Sequence, residues 1–431
     1  MRELGFYYLI RFLTFPFRWM PLFSIRLFGK IVGYLGFYCL STYRKRALSN
    51  LALATKLQLN PKQILRTAKE SFQNLAITCL EYPKLASIQD LSSFVQCENP
   101  EVANALYAKG QGIIFFCAHQ ANWEVLFLDG TYRMKGIAIG KSIKNKRLYQ
   151  WILSIRERYG GRIIEPYHAM REGFKALKRG KFLGIVGDQG MPSSHYSYPF
   201  LGRTAWTSTA PALLAYRTQS PLIFAETRRT SNGYKIRYAD PIWPNVEKPI
   251  ETEIPRIMNE ALSLLEKSIQ TLPGQWLWQH NRWKQQTPHN ISRRFRHDCL
   301  AVILPADPLL FTNIAPHLSI FREIYPTEFI SLLIPDEHHS KKIPFDPTEI
   351  IYYRGAPLKD FRFKLVFNFT NNPKIASHFL KQSAFEVLNL KDLERLASPH
   401  LLAHEKGNFS AIVKRALYRS KAKIISKIDE P

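Results

Sequence analysis

The sequence predicts an α/β protein with two domains behind an apolar, basic N-terminal segment. An uninterrupted apolar run, Gly112–Ala118, reads as a strand buried on both faces. From there to residue 270, strand-like and helical patterns alternate, as they do where helices cover a sheet. The polar, basic stretch Gln285–His297 then precedes a second, shorter alternation. A chain of 431 residues has room for two or three domains with real cores. Its 46% hydrophobic and 22% charged residues exclude a largely disordered chain.

Taken in order, residues 1–45 are rich in aromatics, interrupted by Arg11, Arg18, Arg26 and Lys30 and broken by Pro16 and Pro21. The longest run free of charge, Ile31–Tyr43, has 13 residues, short of the ~20 that span a bilayer. Recurring arginines and the lack of a small-residue cleavage site argue against a cleaved signal. The segment is expected to be an interfacial anchor, its cations at headgroup level and its rings in the acyl boundary. Asn60-Pro61 then opens a helix with an apolar face of Ile64, Leu65, Ala68, Phe72, Leu75, Ala76 and Cys79. Another helix is expected from Pro100 to Ala108.

Beyond these, strands are expected at 112–118, 136–140, 162–165, 182–187, 221–227 and 234–239. Helices are expected near 121–128, 145–158, 169–179, 208–217 and 253–270. Residues 46–285 are thus read as the first α/β domain and 286–297 as a basic linker. Residues 298–431, with strands at Leu300–Leu304, Phe329–Ile334, Glu349–Tyr353 and Lys364–Phe369, are read as a smaller, Rossmann-like α/β domain. It has no glycine-rich phosphate loop, so an accessory role is expected.

Sixty Lys and Arg against 34 Asp and Glu give a net charge of +26, which implies a polyanionic partner. The charge is uneven. Residues 1–296 carry +23 and residues 297–431 only +3, with +7 in residues 1–50 and +11 in 133–181. Nucleic acid is excluded as that partner: there is no zinc-ligand spacing and no RNP-like motif, and the cations sit among aromatics. An anionic membrane surface or a phosphorylated ligand remains. Five cysteines, odd in number and without a C-x-x-C pair, argue for a reducing compartment. His338-His339 and His400/His404 are fragments without a third ligand and are read as solvated faces, so no metal is expected.

His119 and Glu124 form an H-x4-E pair. The spacing alone says little, since chance supplies about one such pair in this composition, and His400–Glu405 is another. Context separates them. His119 directly follows the buried strand, where open α/β sheets place their ligands. A neutral imidazole removes a hydroxyl proton near pH 7, and a carboxylate on its other nitrogen fixes the tautomer. Residues five apart on one helix would point about 140° apart, so His119 belongs in a turn and Glu124 on the helix after it.

Ala118-His119-Gln120-Ala121-Asn122-Trp123-Glu124 resembles the H-x-x-N-W-E signature of the lipid A late acyltransferase family, the lauroyl and myristoyl transferases of lipopolysaccharide assembly. Arg156-Glu157-Arg158-Tyr159-Gly160 resembles its R-x-R-x-G segment. Asp188-Gln189-Gly190, with Phe200-Leu201-Gly202 and Ala205, resembles its D-Q-x-G…F-F-G…A-T segment, with a single Phe before Leu201. Pro273-Gly274-Gln275-Trp276-Leu277-Trp278-Gln279-His280-Asn281-Arg282-Trp283-Lys284 resembles its terminus. The resemblance covers about residues 5–285 and leaves everything after 296 outside it.

The resemblance implies a glycerolipid-acyltransferase-like α/β sandwich with His119 as general base, Glu124 as its partner, and Arg156 and Asp188 as further active-site residues. Arg158 stands as the alternative to Arg156. Asn122, Arg158, Gln275, Trp278 and Arg282 would bind substrate, with a core brace as the other reading of the tryptophans. No cofactor is implied. The donor would be an acyl chain on acyl carrier protein, or acyl-coenzyme A, and the acceptor a lipid A precursor glycolipid at the cytoplasmic face of the inner membrane. The rival readings are another glycolipid or glycerol phosphate as acceptor, and a non-catalytic scaffold for envelope assembly.

Overall fold

The structure, a computed structural model, describes residues 2–355 and 359–419; the end of the second expected domain, 420–431, lies outside the described residues. The chain forms two compact units. One comprises residues 1–41, 56–58 and 65–282, the other residues 42–55, 59–64 and 283–431.

The first unit begins with α1 (Arg2–Thr14) and α2 (Leu22–Cys39); α3 (Ser41–Leu53) belongs to the second unit. There follow α4 (Pro61–Leu85), β1 (Val95–Cys97), α5 (Glu101–Ala108), β2 (Ile113–Cys117), α6 (Glu124–Arg133), β3 (Gly136–Ile139) and α7 (Lys146–Arg156). Then come β4 (Arg162–Ile164), α8 (Ala169–Lys178), β5 (Phe182–Val186) and the hairpin β6 (Ser197–Phe200) and β7 (Arg203–Trp206). The unit ends with α9 (Ala210–Thr218), β8 (Leu222–Thr230), β9 (Gly233–Tyr238) and α10 (Ile250–Thr271). The fold is mixed α/β and its sheets are rich in parallel pairs.

Seven strands make one sheet in the order β1-β9-β8-β2-β5-β3-β4. Only β8 and β9 pair antiparallel; the other neighbours are parallel. The apolar run becomes β2, fully buried in the middle. Side chains alternate across the sheet. Phe182 meets Phe127 of α6 on one face, ring centroids 6.1 Å apart, and Leu183 packs on Gly173 of α8 on the other. No strand signal marks β1 or the β6–β7 hairpin in the sequence, since three or four residues, with Pro199 inside β6, are too few to show alternation.

α2 is 18 residues long, and among the described residues it is the one helix long and apolar enough to cross a membrane. One face of it, however, is seated on α4. A Cβ on Gly33 would lie 2.3 Å from the Gln73 Cα, so only glycine permits that approach. Arg26, expected at headgroup level, is instead buried and paired with Glu81 at 3.3 Å. A guanidinium turned toward protein finds fixed acceptors that water would otherwise supply.

The second unit continues with β10 (Cys299–Ile303), α11 (Pro308–Ile314), α12 (Ser319–Ile324), β11 (Phe329–Pro335), β12 (Glu349–Tyr353) and β13 (Leu365–Asn368). It closes with α13 (Pro373–Gln382), β14 (Glu386–Leu388), α14 (Leu390–Ala397) and α15 (Phe409–Leu417). Its five strands are all parallel, in the order β12-β11-β10-β13-β14.

Three expectations change here. Residues 42–55 fall in this unit rather than the first, because α3 buries Ala47, Leu48, Leu51 and Leu53 and sends Lys45 to the Ala384 carbonyl at 2.7 Å. The stretch read as a linker, 286–297, instead supplies Ile291 and Phe295 to the second core. His338, read as solvated, is buried against Phe311, ring centroids 4.0 Å apart, with Nε2 bonded to the Ala306 carbonyl at 3.0 Å.

Candidate active site

Sheet register brings the first two residues of the site together. β2 and β5 run side by side with Cys117 opposite Val186, and His119 and Asp188 each lie two residues further on, at the same carboxyl edge. Asp188 accepts the His119 backbone N–H on Oδ2 at 2.9 Å and His119 Nδ1 on Oδ1 at 2.8 Å. The indole N–H of Trp276 donates to the same carboxylate at 2.7 Å. With Nδ1–H committed to Asp188, the Nε2 lone pair of His119 has no protein partner among the described residues. That is the tautomer a general base needs.

The electrostatics follow from this pairing. Burial opposes the imidazolium, but the charge of Asp188 and its hydrogen bond, with Glu124 beyond, outweigh it and hold the His119 pKa above its ordinary value. Burial likewise opposes ionisation of Asp188, yet His119 by charge and hydrogen bond keeps its carboxyl well below the usual range. His280 sits 5.6 Å from His119, centroid to centroid, with Nε2 toward the Asp188 carbonyl at 3.4 Å. Burial drives its pKa down to about 4, so it is neutral near pH 7.

Between His119 and α6 the chain turns through Ala121, a non-glycine residue at φ +50°. A left-handed conformation costs such a residue about 1–2 kcal/mol. Three neighbours hold it there. Its N–H donates to the Gln275 carbonyl at 2.7 Å, and its carbonyl accepts from Asn74 Nδ2 at 3.1 Å and Thr78 Oγ1 at 2.8 Å. The turn places Glu124 at the first position of α6, where helix and carboxylate favour one another.

Glu124 is not the partner of the His119 ring. Arg156, at the last position of α7, takes it as a fork, Nε to Oε2 at 2.7 Å and Nη2 to Oε1 at 2.5 Å. Nη2 also lies 3.3 Å from the Tyr82 hydroxyl oxygen, which accepts from it. Two parallel N–H donors match the two oxygens of a carboxylate better than one imidazole N–H does, and Asp188 already occupies Nδ1. Burial works against the charge on Glu124, but Arg156, then Tyr82 and Trp123, keep its carboxyl below the usual range.

His119, Glu124 and Arg156 stand with Lys141 in the wall of a cavity of about 440 Å³. The rest of the wall is largely apolar. Phe115, Phe127, Phe182 and Tyr238 line it, while Ala138, Gly184 and Ala225 leave the space open. Gly184 pairs with both Phe115 and Ala138 in the sheet, so any side chain there projects into the cavity beside the Ala138 methyl. A cavity of this size and lining, with a few polar groups at one end, is a small-molecule site by its physical character.

Residues 1–285 match the family model described as bacterial lipid A biosynthesis acyltransferase. The chain belongs to that family. No curated protein matches it. The family indicates an acyltransferase acting in lipid A biosynthesis, and its span closes just past the last residue of the first unit, Arg282.

Of the residues the resemblance names in this family, His119, Glu124 and Arg156 line the cavity, and Asp188 is bonded to His119. The five expected to bind substrate do not line it. Asn122 is buried and donates to Glu81 at 2.9 Å. Arg158 turns to the Leu85 carbonyl at 3.3 Å, so it is Arg156 that faces the cavity. Gln275 accepts from the Arg229 backbone at 2.9 Å, and buried Trp278 donates to the Pro273 carbonyl at 2.8 Å. Arg282 is fully buried over Phe200, 4.5 Å to the ring, and donates to Thr207 at 2.8 Å; burial lowers its pKa to about 10. Each of these side chains is held by protein partners outside the cavity wall.

Sequence reasoning placed the helix α4 but missed its polar face. Its buried inner face holds Ser71, Asn74, Thr78 and Glu81, and Leu65 and Cys79 point outward instead. Ser71 bonds the Trp276 carbonyl at 2.5 Å, Asn74 the Gln275 carbonyl at 3.0 Å, and Thr78 the Ala121 carbonyl. The signal was present: polar residues at steps of three, four and three lie on one helical face. Among the described residues no group of three or more His, Cys, Asp or Glu could hold a metal.

Proposed function

We propose that the protein transfers a fatty acyl chain from acyl carrier protein to a hydroxyl of a phosphorylated lipid A precursor at the cytoplasmic face of the inner membrane. The observation that carries this is the Asp188-held His119, its Nε2 free, at the polar end of an apolar cavity in a chain of this family. Nε2 takes the acceptor proton as the hydroxyl oxygen attacks the thioester carbonyl. The tetrahedral intermediate then expels thiolate, breaking the C–S bond, and the imidazolium returns the proton to sulfur. Arg156, pinned by Glu124, leaves Nη1 without a protein partner among the described residues, suited to the developing oxyanion.

Lys141 in the cavity wall and exposed Lys144, Lys146 and Arg147 suit a phosphorylated acceptor. The exposed faces of α1 and α2 and the turn between them, with Phe12 79%, Trp19 62% and Phe23 73% exposed, suit monotopic attachment. The second unit, with its first strand at the sheet's centre, is read as an accessory Rossmann-like domain. The acceptor is tested by offering the membrane-bound enzyme a tetra-acylated lipid A precursor, a phosphatidylinositol mannoside and glycerol phosphate in parallel. Acylation of the first alone is expected; transfer only to either of the others overturns the acceptor.

The cavity floor sets chain length in this reading. Gly184→Val fills the slot with a side chain that strands favour, and displacing two methylenes at about 0.8 kcal/mol each changes donor preference on the order of tenfold toward shorter chains. Competition between donors of different lengths measures it. For carrier-protein docking, α8 offers Arg171 and Lys175 beside exposed Tyr167, Met170 and Phe174, just after the cavity residue Pro166. Reversing Arg171 and Lys175 to Glu is expected to raise the KM for acyl carrier protein and leave that for acyl-coenzyme A unchanged.

A further inference from the structure

Beneath the turn lies a carboxylate that acyl transfer does not touch. Glu81 of α4 is 0% exposed. Its Oε1 accepts from Arg26 Nε at 3.3 Å, and its Oε2 accepts from Asn122 Nδ2 at 2.9 Å and from the Tyr234 hydroxyl. Asn122 carries the connection upward, since its Oδ1 accepts the backbone N–H of Glu124 at 3.2 Å. Arg26 carries it outward. It donates to the carbonyls of Thr230, Ser231 at 2.7 Å and Gly233 at 3.0 Å, gripping the turn between β8 and β9 from α2.

We propose that Glu81 is a positioning residue for the reaction, orienting the Asn122 amide so that the turn presents Glu124 to Arg156, and tying that turn to α2 through Arg26. The inference rests on the acyl-transfer reading of the site. A carboxylate only accepts hydrogen bonds, so it compels Asn122 to turn its NH2 inward and its carbonyl oxygen toward the Glu124 N–H. An amide rotated by half a turn would set NH2 against N–H at the start of α6. A buried ion pair kept only for stability is readily replaced by apolar groups; this one also dictates the orientation of a neighbour that touches the catalytic turn. The chain Arg26–Glu81–Asn122–Glu124 links the helix with the exposed apolar face to the residue that holds Arg156.

The test exchanges donor and acceptor in the full-length, membrane-bound protein. Glu81→Gln has one acceptor end where the carboxylate has two, so its NH2 confronts either Asn122 Nδ2 or Arg26 Nε and breaks one link of the chain. Its kcat per folded enzyme is expected to fall about 10- to 100-fold, as for groups that act through a ligand's neighbour, with the KM for acyl donor unchanged. Combining Glu81→Gln with Asn122→Asp restores the bond in reverse. The introduced glutamine donates, the introduced aspartate accepts both that N–H and the Glu124 N–H, and kcat is expected to return to near wild type. An unchanged kcat in folded E81Q overturns the proposal, as does a pair that stays slow or fails to fold. Thiol release onto water is followed beside acyl transfer. A wild type that releases thiol but acylates no precursor contradicts the acceptor, and the variants still read the turn.

Discussion

Asp188→Asn lowers kcat by on the order of 10³- to 10⁴-fold while the protein stays folded, the loss expected when the carboxylate that fixes a catalytic imidazole becomes an amide. An asparagine that offers NH2 to Nδ1 compels the other tautomer, placing the proton on Nε2 where the base must be bare. The pH profile changes as well. In the wild type the neutral form of His119 is lost as pH falls through a pKa raised above 6.5, so the acid limb of kcat/KM lies above that value. Without Asp188 the burial that opposes the imidazolium dominates, and the limb moves to lower pH. The stability signs are opposite for the two partners. The His119 contribution is present below its unfolded pKa and lost as pH rises through the folded one, whereas that of Asp188 is present above its unfolded pKa and lost as pH falls through the folded one. A limb that stays in place in D188N contradicts the pairing.

Glu124→Gln produces the second large effect, by a different route. It leaves the Arg156 guanidinium, only 17% exposed at the side chain, without its carboxylate. Removing one partner of such a pair costs about 3–5 kcal/mol, which lowers the melting temperature by roughly 10 °C in a unit of this size. Activity falls too, because Arg156 is no longer held at the cavity. Adding Arg156→Met relieves the unpaired charge, so the double variant regains most of the melting temperature and none of the activity. If Glu124 served the His119 ring instead, the two substitutions would destabilise independently and their effects would add. Thermal melts of the two single variants and the pair decide between these.

That second comparison marks where the sequence ran out. His119, Glu124, Arg156 and Asp188 were all legible, because a buried apolar run ends at one of them and ordered motifs surround the rest. The partner of the imidazole was not. Proximity along the chain favoured Glu124, five residues away, whereas the partner came from 69 residues further on through the register of β2 and β5. The five residues named for substrate lie outside the cavity wall, a placement that depends on the fold and not on residue type. Polar and aromatic types suit a brace as well as a binding surface; here Asn122, Trp278 and Arg282 are buried, Gln275 half-buried and Arg158 exposed. Arg26 was read as a headgroup cation and Glu81 was not singled out, because each looks, in sequence, like a charge on a lipid-facing or solvated helix. Alternation located the sheet of the first unit well, but the attachment of α3 to the second unit depends on contacts more than 300 residues apart.

The most direct test mixes wild type, His119→Ala and Asp188→Asn separately with acyl carrier protein thioester and lipid A precursor, and follows precursor mass. A gain of one acyl group is expected with wild type, with His119→Ala inert and Asp188→Asn slower by the factor above, all three folded. Equal gains from wild type and His119→Ala would contradict the account.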